Sequence, residues 1–264
     1  MPEVELPPGV SAYDADFAPE APVVGTIANE RGRFVVRMAD HAGRVLWERF
    51  EPQTGKPNIA DVVRVSPTGT YLVAVSMAST RRVGTSDLYV FGVDGDVIHT
   101  QQVHGAWSRA RRAYEGGRIY AVAFSPGERL LAVALADEVV VYELVGARRV
   151  VRSTPGRGIT GGRVPVSISV DDRGRVLVVT MAYEDVDPRP DAQAYERLRP
   201  AAFVLSAAGN ILWTQEFEYG LRPWPQRAED RTLFYNRATP PGDGRVDSAL
   251  MDDTGHLIID GDMV

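Results

Sequence analysis

The side chains best suited to recognition chemistry are arginines gathered in two stretches, Arg81 and Arg82 in the first and Arg109, Arg111 and Arg112 in the second. A guanidinium presents donors in a planar fork that matches carboxylate or phosphate oxygens two at a time. Few acids stand nearby, Asp87 and Glu115 among them. A local positive patch is therefore expected, suited to a carboxylate-rich protein, a phosphate or a nucleic-acid backbone. Trp107 lies beside the second stretch and Tyr195 in a later segment. Aromatic and arginine side chains are the types enriched where interfaces concentrate their binding energy. Together these residues are the candidate binding set. The alternative is that the arginines are solvated partners of neighbouring acids, and that Trp107 and Tyr195 only pin their loops to the fold.

Catalytic and cofactor chemistry has weaker support. Gly156, Gly158 and Gly161 have the spacing of a dinucleotide fingerprint, but residues 164–170 read as a strand, where the pyrophosphate would need a helix N-terminus. Gly55-Lys56 is followed by Pro57 and lacks the upstream glycine of a phosphate loop. His41, His99, His104 and His256 show no ligand spacing, and the chain has no cysteine to join them. Asp185-Val186-Asp187 and Asp260-Gly261-Asp262 lack the further ligands of a calcium loop. A glycosidase-like carboxylate pair would draw on Asp61, Asp87, Glu138 and Asp247. The favoured expectation is a protein without metal, cofactor or catalytic centre.

The 264 residues, 44% hydrophobic, suffice for a large core. The net charge of −6 argues against a surface that coats nucleic acid and leaves room for a local basic patch. No apolar stretch reaches the roughly 20 residues of a membrane span, and no basic-then-apolar leader opens the sequence. A soluble, cytoplasmic protein is expected, although a leader removed on maturation would leave no trace.

The elements that must position these side chains repeat. Residues 21–28, 71–78, 129–136, 175–182 and 231–238 are mostly β-type runs, each ending on alanine, several after a turn cluster such as Ser66-Pro67-Thr68-Gly69 or Ser125-Pro126-Gly127-Glu128. Independently, Gly43, Gly95, Gly146, Gly209 and Gly255 each separate two short β-type runs, as in hairpins. Combined, the landmarks give four-stranded units over about residues 9–50, 59–104, 118–153, 163–218 and 221–264. In the last, Pro223 and Pro225 should leave the first strand short or irregular, since proline donates no ladder bond. The expected fold is all-β, a single-domain β-propeller of five four-stranded antiparallel blades. A sandwich, or part of a larger propeller, is the alternative.

The repeat resembles the WD-repeat and quinoprotein-like β-propellers. Ser66-Pro67-Thr68-Gly69 and Ser125-Pro126-Gly127-Glu128 are similar to the turn between the first two strands of a WD-type blade. Gly43-Arg44-Val45-Leu46-Trp47 and Gly209-Asn210-Ile211-Leu212-Trp213 are similar to the glycine-to-tryptophan turn of quinoprotein-type blades. No Trp-Asp dipeptide occurs, and His99, Val150 and Ile259 take the tryptophan place in the other units. The resemblance implies a propeller scaffold, in which such tryptophans mainly serve packing.

Turns after the first and third strands of each unit are tight, whereas the connections at residues 78–86, 104–117, 154–162, 183–200 and 239–245 are long. In a propeller these sets fall on opposite ends, and long loops on a rigid scaffold are where binding usually sits. Helical turns are expected within residues 106–115 and 191–199, carrying Trp107 and Tyr195. The leading functional expectation is a non-enzymatic protein-binding or scaffolding module with an acidic protein partner. A carbohydrate-active or quinoprotein-like enzyme using a central funnel is the alternative, and a structural subunit of a larger assembly is the third reading.

Overall fold

A computed structural model describes residues 10–30, 33–51, 58–79, 84–108, 113–116, 119–135, 138–144, 148–153, 164–185, 195–216, 221–223, 248–251 and 257–260. Among them there is no helix, and no helix is long and apolar enough to cross a membrane. The strands form consecutive antiparallel sheets. The first holds β1 (Val10–Phe17), β2 (Val23–Glu30), β3 (Arg33–Asp40) and β4 (Val45–Glu51) in chain order. The second holds β5 (Asn58–Val65), β6 (Leu72–Ser79), β7 (Gly84–Phe91), β8 (Val97–Ser108) and β9 (Ala113–Gly116). The third holds β10 (Ile119–Phe124), β11 (Leu130–Leu135), β12 (Val139–Glu143) and β13 (Arg148–Ser153). The fourth holds β14 (Val164–Val170), β15 (Val176–Asp185), β16 (Tyr195–Leu205) and β17 (Ile211–Glu216), with β18 (Leu221–Pro223) paired to β16. A last pair joins β19 (Ser248–Met251) to β20 (Leu257–Asp260).

The first four sheets share irregularities as well as order. Each first strand carries one extra residue opposite its second strand: Tyr13, Asp61, Tyr120 and Val166. Each fourth strand carries another near its start: Leu46, Ile98, Val150 and Leu212. Bulges bend and twist a strand at a fixed place, so their recurrence marks repeated units more sharply than side-chain identity does.

Packing runs in series. In β11 every side chain is buried, because alternate residues serve different neighbours. Leu131, Val133 and Leu135 join Val73, Val75 and Leu88 of the second sheet. Leu130, Ala132 and Ala134 join Ile168, Val176 and Val178 of the fourth. A sheet covered on both faces needs a near-continuous apolar strand, and Leu-Leu-Ala-Val-Ala-Leu supplies one. The first sheet meets the second through Ile27, Phe34, Met38 and Trp47 against Val65, Leu72 and Phe91. First strands also neighbour one another along the series, β1 with β5, β5 with β10 and β10 with β14.

Carboxylates bridge the gap between β1 and β5. Asp14 Oδ2 accepts the Val63 amide at 2.9 Å and the Arg64 guanidinium at 2.9 Å, and Asp16 Oδ2 accepts the Val65 amide at 2.7 Å. These amides face away from β6 and would otherwise lie unpaired at a strand edge. Burial pushes the Asp16 carboxyl above its ordinary range, opposed by the Val65 amide and by Arg64.

Several expectations change. Ala28, Ala78 and Ala182 all lie on second strands, but Ala78 and Ala182 stand three residues past the residue opposite the bulge, and Ala28 only one. The turn and the bulge set the register, and the alanines merely lie near it. Ala136 and Ala238 lie outside the described residues. Residues 221–223 do not open a fifth sheet but extend the fourth, where Pro223 sits opposite Tyr195. Residues 248–251 and 257–260 form the expected hairpin. Yet β19 lies against β14 and β15, as β14 lies against β10 and β11, a place that earlier sheets give to a first strand and not a third.

Candidate binding end

Antiparallel order sends the turns after first and third strands to one end of the sheets, and the connections after second and fourth strands to the other. The turn end is short and bonded together. The Glu20 amide donates to Pro67 O at 2.9 Å, Glu128 Oε2 accepts the Thr68 hydroxyl at 2.8 Å, and the Gly127 amide donates to Asp172 Oδ1 at 2.7 Å. Successive sheets are thus linked turn to turn. Glu128 has φ +56°, at the place where Gly69 and Gly174 have φ +77° and +79°. A left-handed non-glycine residue costs about 1–2 kcal/mol, and the bonds from Thr68 hold it there. Burial raises the Glu128 carboxyl, but hydrogen bonds from the Thr68 amide and from the Ser66, Thr68 and Thr70 hydroxyls outweigh this and leave it below the ordinary range.

The opposite end is built differently. Most of the expected long loops there begin and end as hairpin arms. The β6–β7 pairing continues to Ser79 opposite Gly84, β8 and β9 pair from Gly105–Gly116 to Ser108–Ala113, and β15–β16 pairing reaches Asp185 opposite Glu196. The helical turns expected in residues 106–115 and 191–199 are replaced, over their described residues, by β8, β9 and β16. Trp107 and Tyr114 are spaced for one side of a helix, but the same spacing sets them opposite each other across a hairpin.

Among the described residues, the β11–β12 hairpin of the third sheet has no such arm. Ala134 of β11 is equivalent to Val75 and Val179 by the bulge register. β11 stops at Leu135, one residue past Ala134, where the Leu135 amide donates to Glu138 O at 2.7 Å to close the turn. β6 continues four residues past Val75, and β15 six past Val179. At about 3.3 Å per residue β11 ends roughly 10 Å short of β6 and roughly 17 Å short of β15.

The buried faces of the second and fourth sheets turn toward the third. His99 packs against Tyr142 of the third sheet at 5.2 Å, Gln101 and the Tyr142 hydroxyl are hydrogen-bonded, and Val103 packs on the same cluster. Odd positions of β8 from His99 to Val103 therefore form the face turned to the third sheet; Trp107 lies further along β8 and pairs with Tyr114 of β9. On the adjacent β7, the buried Ser86 hydroxyl accepts the Ile119 amide at 3.2 Å. On the fourth sheet, Val176, Val178 and Leu205 face the third. Further along the same pairing Ala182 stands opposite Arg199 and Glu184 opposite Arg197 in register.

Among the candidate residues, Trp107 lies on β8 opposite Tyr114, and Tyr195 opens β16 opposite Pro223. Arg81, Arg82, Arg109, Arg111 and Arg112 lie outside the described residues, in the segments joining β6 to β7 and β8 to β9. Arg197 and Arg199 share β16 with Tyr195, in a segment whose sequence suggests a helical turn. Of the acids considered for catalysis, Asp87 Oδ1 accepts from Gln102 Nε2 at 2.7 Å in a cross-strand pair. Among the described residues no group of three or more metal-ligating side chains comes together. No protein-family model matches the chain, and no curated protein matches it.

Proposed function

We propose that the chain is a non-enzymatic protein-binding module, a β-propeller that presents its arm end to a partner. The ring architecture is supported by the serial packing of sheets through their first strands and by the two bulges repeated in each of the first four. The binding reading rests on one observation, the β11–β12 hairpin ending short of the extended arms on the sheets to either side. The partner is acidic in this reading, since Arg81, Arg82, Arg109, Arg111 and Arg112 belong to the arms by sequence. Its residence is cytoplasmic.

Affinity capture from the native source with mass spectrometry identifies the partner, and isotherms on the purified pair test the face. Replacing Arg109, Arg111 and Arg112 with glutamate is expected to weaken binding at least tenfold and to flatten its salt dependence, with thermal stability unchanged. Exposed charges contribute only about 0–1 kcal/mol each to folding, so the readouts separate. The control reverses Arg44 and Arg173, both exposed at the turn end. Equal losses from both sets, or none from the first, would overturn the assignment of the working end.

A further inference from the structure

The hairpin turns of the first two sheets end in matched sequences, Gly43-Arg44-Val45-Leu46 leading into β4 and Gly95-Asp96-Val97-Ile98 leading into β8. Both glycines have positive φ, and Leu46 and Ile98 are the bulge residues of their strands, so the positions are equivalent. Val45, Leu46, Val97 and Ile98 are 41–50% exposed, and Val93 in the second turn is 59% exposed. The two hairpins adjoin. Arg49 of β4 donates from Nε to Gly95 O at 2.8 Å and from Nη2 to Asp94 O at 3.1 Å, and Trp47 lies under Gly95. Five exposed apolar side chains therefore border one seam at the turn end. Apolar residues scattered singly are ordinary on a surface, whereas contiguous patches of roughly 300–600 Å² often mark interaction sites. The charges that precede the two aliphatic pairs are opposite. Arg44 and Asp96 remain 79% and 85% exposed although each has an ion-pair partner on its own chain, Asp40 and Arg49.

We propose that this rim is the contact surface of a two-fold homodimer, the first-sheet rim of one copy packing on the second-sheet rim of the other. An isologous contact needs a patch that is its own complement. Here a two-fold rotation sets Val45 and Leu46 against Val97 and Ile98 of the second copy, and Arg44 against its Asp96, and repeats both contacts in reverse. A partner of one charge would match only half of the rim. Strand addition along β4 or β8 is disfavoured, because the bulges at Leu46 and Ile98 twist the strand starts out of flat pairing. The third sheet does not continue the aliphatic rim, since its register puts Arg149 at the place of Val45. A patch of this size falls short of the roughly 800 Å² per partner of a standard interface, so half-dimerisation on the order of 10 μM is expected. The surface lies at the turn end, leaves the arms free, and is independent of the binding-module reading.

Sedimentation velocity on the full chain, without partner, tests this over a concentration series from about tenfold below to tenfold above that midpoint. A monomer–dimer equilibrium is expected. Arg44→Asp alone and Asp96→Arg alone should each weaken it at least tenfold, because each sets like charges against each other at both contacts. An equimolar mixture of the two variants should restore association to within threefold of the parent chain, since every facing pair is then opposite in charge. Leu46→Lys should also cost at least tenfold; should it not fold, Leu46→Thr, which keeps a β-branched side chain and removes apolar surface, is expected to lose at least threefold. Leu212→Lys, at the equivalent rim position of the fourth sheet, should change nothing. The melting curve of each variant is recorded alongside. A chain that stays monomeric throughout, a mixture that fails to restore association, or an equal loss from Leu212→Lys overturns the dimer. Partner binding through the arm end is measured separately and should be the same in Arg44→Asp as in the parent chain, so failure of either reading leaves the other standing.

Discussion

Glycines at equivalent turns do different amounts of physical work. Gly43 and Gly95 both have positive φ, +81° and +75°. A Cβ on Gly43 would meet nothing within 4 Å, whereas one on Gly95 would lie 2.7 Å from the ring of Trp47, which packs against Phe91 at 5.5 Å between the first and second sheets. Gly43→Ala should therefore cost only the left-handed backbone penalty, about 1 kcal/mol. Gly95→Ala adds overpacking against a buried indole and should cost about 3 kcal/mol in total. Urea denaturation of both variants checks the difference, and equal losses would show that Trp47 yields freely. Both glycines are legible as turns in the sequence, but their inequality is not, because Trp47 reaches Gly95 from a neighbouring sheet. His99, in the tryptophan place of the second unit, shows the same dependence on a distant partner. Its Nε2 is sealed from solvent without a hydrogen bond, its ring lies on Tyr142, and burial depresses its pKa below 6.5. The folded state thus binds this proton less readily than the unfolded chain. The stabilising contribution is complete above the unfolded value near 6.5 and is lost as pH falls below it toward the folded pKa. Urea midpoints should drop between pH 7 and pH 5, and His99→Phe should flatten that drop; an unchanged slope would place the acid sensitivity elsewhere.

At the scale of elements, strand alternation was legible wherever a strand is buried on both faces, as in β11, and the turn clusters located most hairpins. The arm sequences fit a helix for a physical reason. Over about ten residues an aromatic at every third or fourth position fits a helix face, and it fits equally a hairpin that sets Trp107 opposite Tyr114. Only the pairing partner decides, and the partner strand β9 is as short as Ala-Tyr-Glu-Gly. If the β8–β9 arm is an appendage for binding and not a brace, joining Gly105 to Gly116 in place of residues 106–115 should leave the melting temperature within about 2 °C. Partner binding should fall at least tenfold. A large loss of stability with retained binding would reverse these roles and make Trp107 a residue that pins the arm to the fold.

For the whole molecule, what the sequence concealed is how the series ends. Each interface from the first sheet to the fourth repeats the last, and β19 extends the series by lying on β14 and β15. A stack whose units twist and bend in one sense must either close or leave apolar faces at both ends. Trp213 displays that tension, being 38% exposed where Trp47, its counterpart in the first unit, is 7% exposed. Closure into a ring gives every sheet two neighbours, and the proposed five-unit propeller requires the last unit to reach the first. Small-angle scattering distinguishes the cases, because a compact chain of 264 residues should have a radius of gyration of about 18 Å, and an open arc a clearly larger one. Unfolding offers an independent readout. A closed ring has no free end to fray, so fluorescence and far-ultraviolet dichroism should report one coincident transition; an open series, in which each unit contacts only its neighbours, loses its terminal sheets first and separates the two signals. A radius well above the compact value together with stepwise unfolding would overturn the ring. It would leave the serial packing of the first four sheets as it stands.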